Sequence, residues 1–213
     1  MLWIILLIYI VVGWFFPIVG WIALICMIGP VLMAAFRGRY WCGNICPRGN
    51  FYSNVIALVS RNRRIPNWLR SNGFRMFMLA FIMCMFALQF YYAWGDWGAM
   101  GNVFWRLIVA TTIVGIALGI AYSPRAWCTF CPMGTLSKMV TSNSQSAAKW
   151  RIEVNSSCRS CALCSRNCPM QLAPHTAKGK VAGYDNPDCL RCNLCATACP
   201  INAIKSKKEN NND

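Results

Sequence analysis

The chain has 213 residues, 57% of them hydrophobic and 13% charged, and a formal net charge of +15. Soluble proteins carry about 25% charged residues, so a disordered chain and an ordinary soluble enzyme are both excluded. The basic charge alone would admit nucleic acid, but the hydrophobicity argues against it, and no nucleic-acid partner is expected.

Residues 1–36 contain no charged side chain. One span of that length is too long for a bilayer core of roughly 30 Å, whereas two of about 17 residues just cross it. Gly13-Trp14-Phe15-Phe16-Pro17 supplies the turn. Spans are expected at 2–15 and 18–36, the second kinked at Gly29-Pro30. The first is short, so a tight or partly re-entrant hairpin is the alternative. No basic n-region or cleavage site is visible, and residue 1 is taken as the mature start. A third span is expected at 74–94, broken by Gly95-Asp96-Trp97-Gly98, and a fourth at 103–122.

All of the 21 Lys and Arg except Arg106 lie between spans two and three or after span four. The positive-inside rule then puts both termini on the cytoplasmic side, and the expected location is the cytoplasmic (inner) membrane of a bacterial or archaeal cell. The stretch Arg61-Asn62-Arg63-Arg64 is either a topology signal or a contact for anionic headgroups. Trp14, Trp21, Trp94, Trp97 and Trp105 read as an outer aromatic belt. Tyr9, Gln89, Tyr91, Tyr92 and the Asp96/Arg106 pair are the polar candidates for a quinone site, and equally ordinary interface anchors. Cys26 and Cys84 read as buried small hydrophobes.

Span two is followed by Arg39-Tyr40-Trp41-Cys42, then Cys46-Pro47-Arg48-Gly49. Span four is followed by Arg125-Ala126-Trp127-Cys128, then Cys131-Pro132-Met133-Gly134. A hairpin plus a W-C-x2/3-C-P-x-G motif is therefore repeated, which implies pseudo-two-fold packing. Cys42, Cys46, Cys128 and Cys131 then meet at the cytoplasmic membrane face. They are enough for one shared [4Fe–4S] or [2Fe–2S] cluster. Two redox-active thiol pairs and a single iron or zinc ion are the alternatives. Trp41 and Trp127 either shield that site or anchor at the inner interface.

Cys158, Cys161, Cys164 and Cys168 precede Pro169; Cys189, Cys192, Cys195 and Cys199 precede Pro200. Both runs read C-x2-C-x2-C-x3-C-P, the two-cluster ferredoxin spacing in which the fourth cysteine serves the other cube. One [4Fe–4S] cluster takes Cys158, Cys161, Cys164 and Cys199. The other takes Cys168, Cys189, Cys192 and Cys195. Two such clusters, each of net charge −2, would lower the formal charge to about +11. Trp150–Val154 and Ala203–Lys205 read as strands, His175 as a solvated loop residue, and 207–213 as a disordered tail.

The expected fold is a mainly α membrane protein. Residues 1–147 form a four-helix transmembrane bundle of two repeated hairpins, and 148–206 a small α+β two-cluster ferredoxin-like domain. These spans and cysteine motifs together resemble the membrane-bound polyferredoxins typified by NapH, related to the membrane halves of NosR and of CcoG-type proteins. The resemblance covers nearly the whole chain. Cys128-Thr129-Phe130-Cys131-Pro132 departs from it, since C-x3-C-P is the common pattern. It implies electron transfer between the quinone pool, or a cytoplasmic donor such as a ferredoxin or flavodoxin, and a partner redox subunit. NapH-like members imply the membrane part of a quinol dehydrogenase, and CcoG-like members copper reduction during oxidase assembly. No substrate site, phosphate loop or flavin motif is visible, so catalysis beyond quinone redox is not expected. The alternative function is a maturation or repair reductase acting through the membrane-face cysteines.

Overall fold

A computed structural model describes residues 2–148, 150–180 and 183–206. It is mainly helical. In chain order come α1 (Trp3–Phe15), a 3-10 segment (Pro17–Ile22), α2 (Ala23–Arg37), a π turn (Trp41–Ile45), α3 (Pro47–Asn54), α4 (Asn67–Arg70), α5 (Asn72–Tyr92), α6 (Trp97–Ala121), α7 (Pro132–Asn143) and α8 (Gln145–Ala148). The C-terminal part adds β1 (Ile152–Val154), α9 (Leu163–Arg166), α10 (Leu194–Thr197) and β2 (Ile204–Ser206).

Three helical stretches are long and apolar enough to cross a membrane: Pro17–Arg37, Asn72–Tyr92 and Trp97–Ala121. The expected first span is the shorter apolar helix α1, 13 residues long. At 1.5 Å per residue it measures about 20 Å, less than a hydrocarbon core. α2 runs through Pro30 without interruption. α6 begins six residues before the expected span because Asp96 caps it, its carboxylate accepting from the Gly98 amide at 2.8 Å. Capping at that point satisfies an end amide that no helical carbonyl can reach.

The repeated hairpins close on each other through glycine. α6 packs on the 3-10 segment, and a Cβ at Gly20 would run into the Gly101 carbonyl, one at Gly101 into that of Pro17. Only two residues without side chains let the backbones approach so closely. Of the helices that follow the two cysteine motifs, α3 lies on α1 of its own repeat, and α7 lies on α5 of its own repeat and on α2 of the other. Between them Leu6, Phe51, Tyr52, Ile82, Trp127 and Phe130 form one buried core directly beneath the motifs.

Strands β1 and β2 pair antiparallel, Val154 opposite Ile204, where the sequence predicts them. Ile152, Val154 and Ile204 bury one face of this two-strand sheet against Cys158, Cys164 and Cys195. The expected tail, 207–213, lies outside the described residues.

Several expectations need correction. Cys84 is exposed on α5, not buried. His175 is half-buried, its Nδ1 2.9 Å from Ser165 Oγ and 3.8 Å from Cys164 Sγ. Trp14, Trp94 and Trp97 are exposed as a belt requires. Trp105 instead turns inward and donates to the Ile10 carbonyl at 3.0 Å, because the bare Gly13 leaves room for its ring. Asp96 and Arg106 make no ion pair; the capping bond takes the carboxylate.

Candidate iron–sulfur sites

The two membrane-face motifs fold alike. Cys46 and Cys131 are the N-caps of α3 and α7, and each is followed by proline at the first helical position. Proline fits there because its fixed φ suits the helix and its missing N–H has no partner to lose. Both cysteines therefore stand at the start of a helix, but only the Cys46 side chain caps it; that of Cys131 makes no capping bond. Cys46 Sγ accepts from the Gly49 amide at 3.5 Å.

The motifs are cross-strapped. Arg39, three residues before Cys42, donates through Nη2 to the carbonyl of Cys128 at 2.8 Å. Arg125, three residues before Cys128, donates through Nη1 to the carbonyl of Cys42 at 2.6 Å. Each arginine passes over the glycine of the other repeat: a Cβ at Gly134 would stand 2.6 Å from Arg39 Nη2, and one at Gly49 would stand 3.0 Å from Arg125 Nη1. The P-x-G glycines are thus the gaps through which the straps run.

Cys42, Cys46, Cys128 and Cys131 line one cavity of about 150 Å³. Its walls are apolar and run back between the hairpins past Cys26, Tyr9 and Phe104. Of the six polar quinone candidates, Tyr9 alone borders it, donating to the Gly20 carbonyl at 3.4 Å. Cys26, expected to be a lone core residue, shares the cavity with the four motif cysteines. Sequence reasoning also missed Arg48. Its Nη1 donates to Thr111 Oγ1 at 2.6 Å and its Nη2 to Cys131 Sγ at 3.5 Å, and it lies 5.7 Å from the Trp127 ring centre.

The environment suits an acceptor-rich group that brings its own positive charge. Burial pushes the Cys42 thiol up to about 12, against the pull of Arg39. Burial likewise raises Cys128, against Arg125. A thiolate in such a place needs a cation beside it, which a bound metal would supply in exchange for the proton. Buried donors also lack partners there: the indole N–H of Trp127 and the Nε of Arg39, both on the cavity wall. Buried donors are normally satisfied, so an acceptor group suits them; among the described residues, no group of three or more His, Cys, Asp or Glu side chains is placed to hold a single metal ion.

In the C-terminal part, Cys168, Cys189, Cys192 and Cys195 line a second, smaller cavity of about 20 Å³. Burial pushes Cys189 up to about 11 and Cys195 to about 12, and raises Cys168. Cys158 and Cys164 are buried in the sheet core with Cys199 packed on it, while Cys161 is exposed. All fourteen cysteines are free of disulfides.

The two C-terminal runs repeat each other's backbone. Left-handed φ occurs at Ser160 and Arg191, at Ala162 and Asn193, and at Gln171 and Asn202. These are equivalent positions: two and four residues past the first cysteine, and three past the last. None is glycine, so each costs on the order of 1–3 kcal/mol, tolerated where a loop must hold a ligand-binding shape. The effect is to turn amides toward sulfur, as the Ser160 N–H does toward Cys158 Sγ at 3.4 Å.

The comparisons agree with this chemistry. A family profile described as a 4Fe-4S binding domain matches residues 19–66 and 102–151, one membrane-face motif in each stretch. A second profile of that description matches residues 183–205. The chain is similar to two uncharacterized proteins of Methanocaldococcus jannaschii. One is 26% identical over 178 residues, 76% of this chain and 69% of the relative. The other is 22% identical over 154 residues, 67% of this chain and 63% of the relative. No solved structure matches the chain.

Proposed function

We propose that this 4Fe-4S protein is a membrane-anchored electron-transfer component with three iron–sulfur clusters. The observation that carries the reading is the single cavity lined by Cys42, Cys46, Cys128 and Cys131, two cysteines from each repeat, closed by reciprocal arginine straps. Cys158, Cys161, Cys164 and Cys199 hold one C-terminal cluster in this reading, and Cys168, Cys189, Cys192 and Cys195 the other. The ferredoxin spacing and the repeated left-handed backbone support that assignment. Bound clusters supply one-electron redox with no atom transferred.

The chain's own residues prepare the sites. Proline at the first helical position fixes the backbone just after Cys46 and Cys131. Arg39, Arg48 and Arg125 bring positive charge against a negatively charged centre, which favours its reduced state. Trp127, 2% exposed, keeps water from it.

The membrane reading takes α1 as a fourth, short or partly re-entrant span beside the three long helices. The one-sided Lys/Arg distribution supports a cytoplasmic face for every cysteine motif. The architecture is of the NapH type, working with other redox subunits. The apolar cavity with Tyr9 on its wall supports a quinone as one electron partner.

Iron and acid-labile sulfide on anaerobically purified chain, with EPR of the reduced sample, test this. About 12 iron per chain is expected, or about 10 for a [2Fe–2S] centre at the membrane face. C42S and C131S should each remove the membrane-face signal. About 8 iron, with the C42S and wild-type spectra identical, would overturn the membrane-face cluster and favour thiol chemistry there.

A further inference from the structure

The two C-terminal cysteine groups differ in how they meet the helical part. Asp188, next to Cys189, is the centre of an ion cluster. Its Oδ1 accepts from Arg39 Nη1 at 2.9 Å and from Arg75 Nη1 at 2.8 Å, and its Oδ2 lies 3.7 Å from Lys138 Nζ. Arg39 and Arg75 are almost completely buried. The same Arg39 straps Cys128, so one guanidinium joins the membrane-face site to the residue beside Cys189. Next to it, Asn44 Nδ2 lies 3.4 Å from the Arg191 carbonyl, and Gly43 is bare where the Leu190 carbonyl comes in.

A second attachment lies on the other arm of the same group. Gln171, three residues past Cys168, is held in the left-handed region at φ 52°. Its Oε1 accepts from the Ile65 amide at 3.1 Å and from Arg70 Nη2 at 3.2 Å. Its Nε2 donates to the Arg63 carbonyl at 2.9 Å. Arg70 also donates to the Met170 carbonyl at 2.8 Å. By contrast, among the described residues, the side-chain hydrogen bonds around Cys158, Cys161 and Cys164 stay within their own segment.

We infer that Asp188 and Gln171 are docking latches that seat the Cys168/Cys189/Cys192/Cys195 group against the membrane-face cysteines, making it the inner C-terminal group and Cys158/Cys161/Cys164/Cys199 the outer one. The inference rests on the proposed electron-transfer function for its meaning, but not for its geometry. Two attachments to different segments of one group, one beside Cys189 and one near Cys168, fix a separation that a single tether would leave loose. Electron transfer between neighbouring groups oxidises one and reduces the other by one electron, and no bond or proton moves. Its rate therefore depends on that separation. Asp188 and Gln171 are positioning residues: neither is a candidate ligand.

The test uses the full chain in lipid nanodiscs, loaded anaerobically. D188N with Q171A removes the ion cluster and the second clamp while leaving every cysteine. Iron and sulfide should stay at the wild-type level. Hydrogen exchange at 38–44, 63–70 and 188–191 should speed up by about tenfold. The reduced membrane-face EPR signal should saturate at lower microwave power, as its nearest fast-relaxing neighbour moves away. Unchanged exchange and saturation would overturn the latch. The order is tested by single losses: C192S should slow relaxation of the membrane-face signal, and C161S should leave it as in wild type. The reverse pattern would overturn the order. If wild-type iron shows no membrane-face cluster, that part of the proposed function fails, and the exchange footprint still decides the latch.

Discussion

Arg125 donates to the carbonyl of Cys42 at 2.6 Å across 83 residues of sequence, and Arg39 returns the contact to Cys128 at 2.8 Å. Each half of the membrane-face site is therefore finished by the other half. Arg125 also donates through Nε to Ser53 Oγ at 2.8 Å, which holds its plane in place.

Replacing Arg125 by Gln should leave a buried carbonyl unsatisfied, at a cost of about 1–3 kcal/mol. The membrane-face EPR signal should be lost or broadened while the C-terminal signals persist. Thermal unfolding in detergent should show a lower midpoint. A variant with all signals and midpoint intact would mean that the strap does no structural work.

The strap gaps make a sharper test. At Gly134 a Cβ meets Arg39, whose guanidinium is already pinned between Asp188 and Cys128 and cannot swing aside. At Gly49 it would stand 2.9 Å from the Cys42 carbonyl itself. G49A and G134A should each destabilise by about 1–3 kcal/mol, the usual range for overpacking a close-packed site. Unfolding midpoints and membrane-face iron should fall together in both.

Arg48 should set the potential of the membrane-face centre. It is the cation hydrogen-bonded to a motif sulfur, Cys131 Sγ. One charge at roughly 5 Å in an effective dielectric near 20 contributes about 3 kcal/mol. R48Q should therefore lower the midpoint potential on the order of 100 mV, measured by EPR-monitored titration. The C-terminal potentials should move much less.

G101A tests the approach of the hairpins, since a methyl there collides with the Pro17 carbonyl. The expected cost is about 1–3 kcal/mol, read as a lower unfolding midpoint. G73A, where a Cβ meets nothing within 4 Å, is the control and should leave the midpoint unchanged or slightly higher.

Spacing on a short loop limits which sulfurs can meet, and one of the sequence-derived sets can be followed into the structure. Cys168, Cys189, Cys192 and Cys195 share a cavity as that spacing requires. The long apolar helices were legible too, since composition and length alone define them. The straps were not. Arg39 and Arg125 read as two more charges in a topology signal, and nothing local tells a lipid-facing arginine from one that reaches across a pseudo-two-fold axis. The left-handed loop positions were hidden for another reason: Ser160, Ala162, Arg191 and Asn193 carry side chains where glycine would have advertised the conformation. Cys84 and His175 were misjudged because burial depends on neighbours brought in from distant parts of the chain.

The reciprocal straps also set a clock on biogenesis. Arg125 emerges 83 residues after Cys42. At synthesis rates of about 5–20 residues per second, the first pair of thiols waits roughly 4–17 s for its brace. In that interval Cys42 and Cys46 lack Cys128 and Cys131, the two cysteines that complete the lining of their cavity. Under the proposed function, iron and sulfide arriving before the second repeat is made would meet only half of the site.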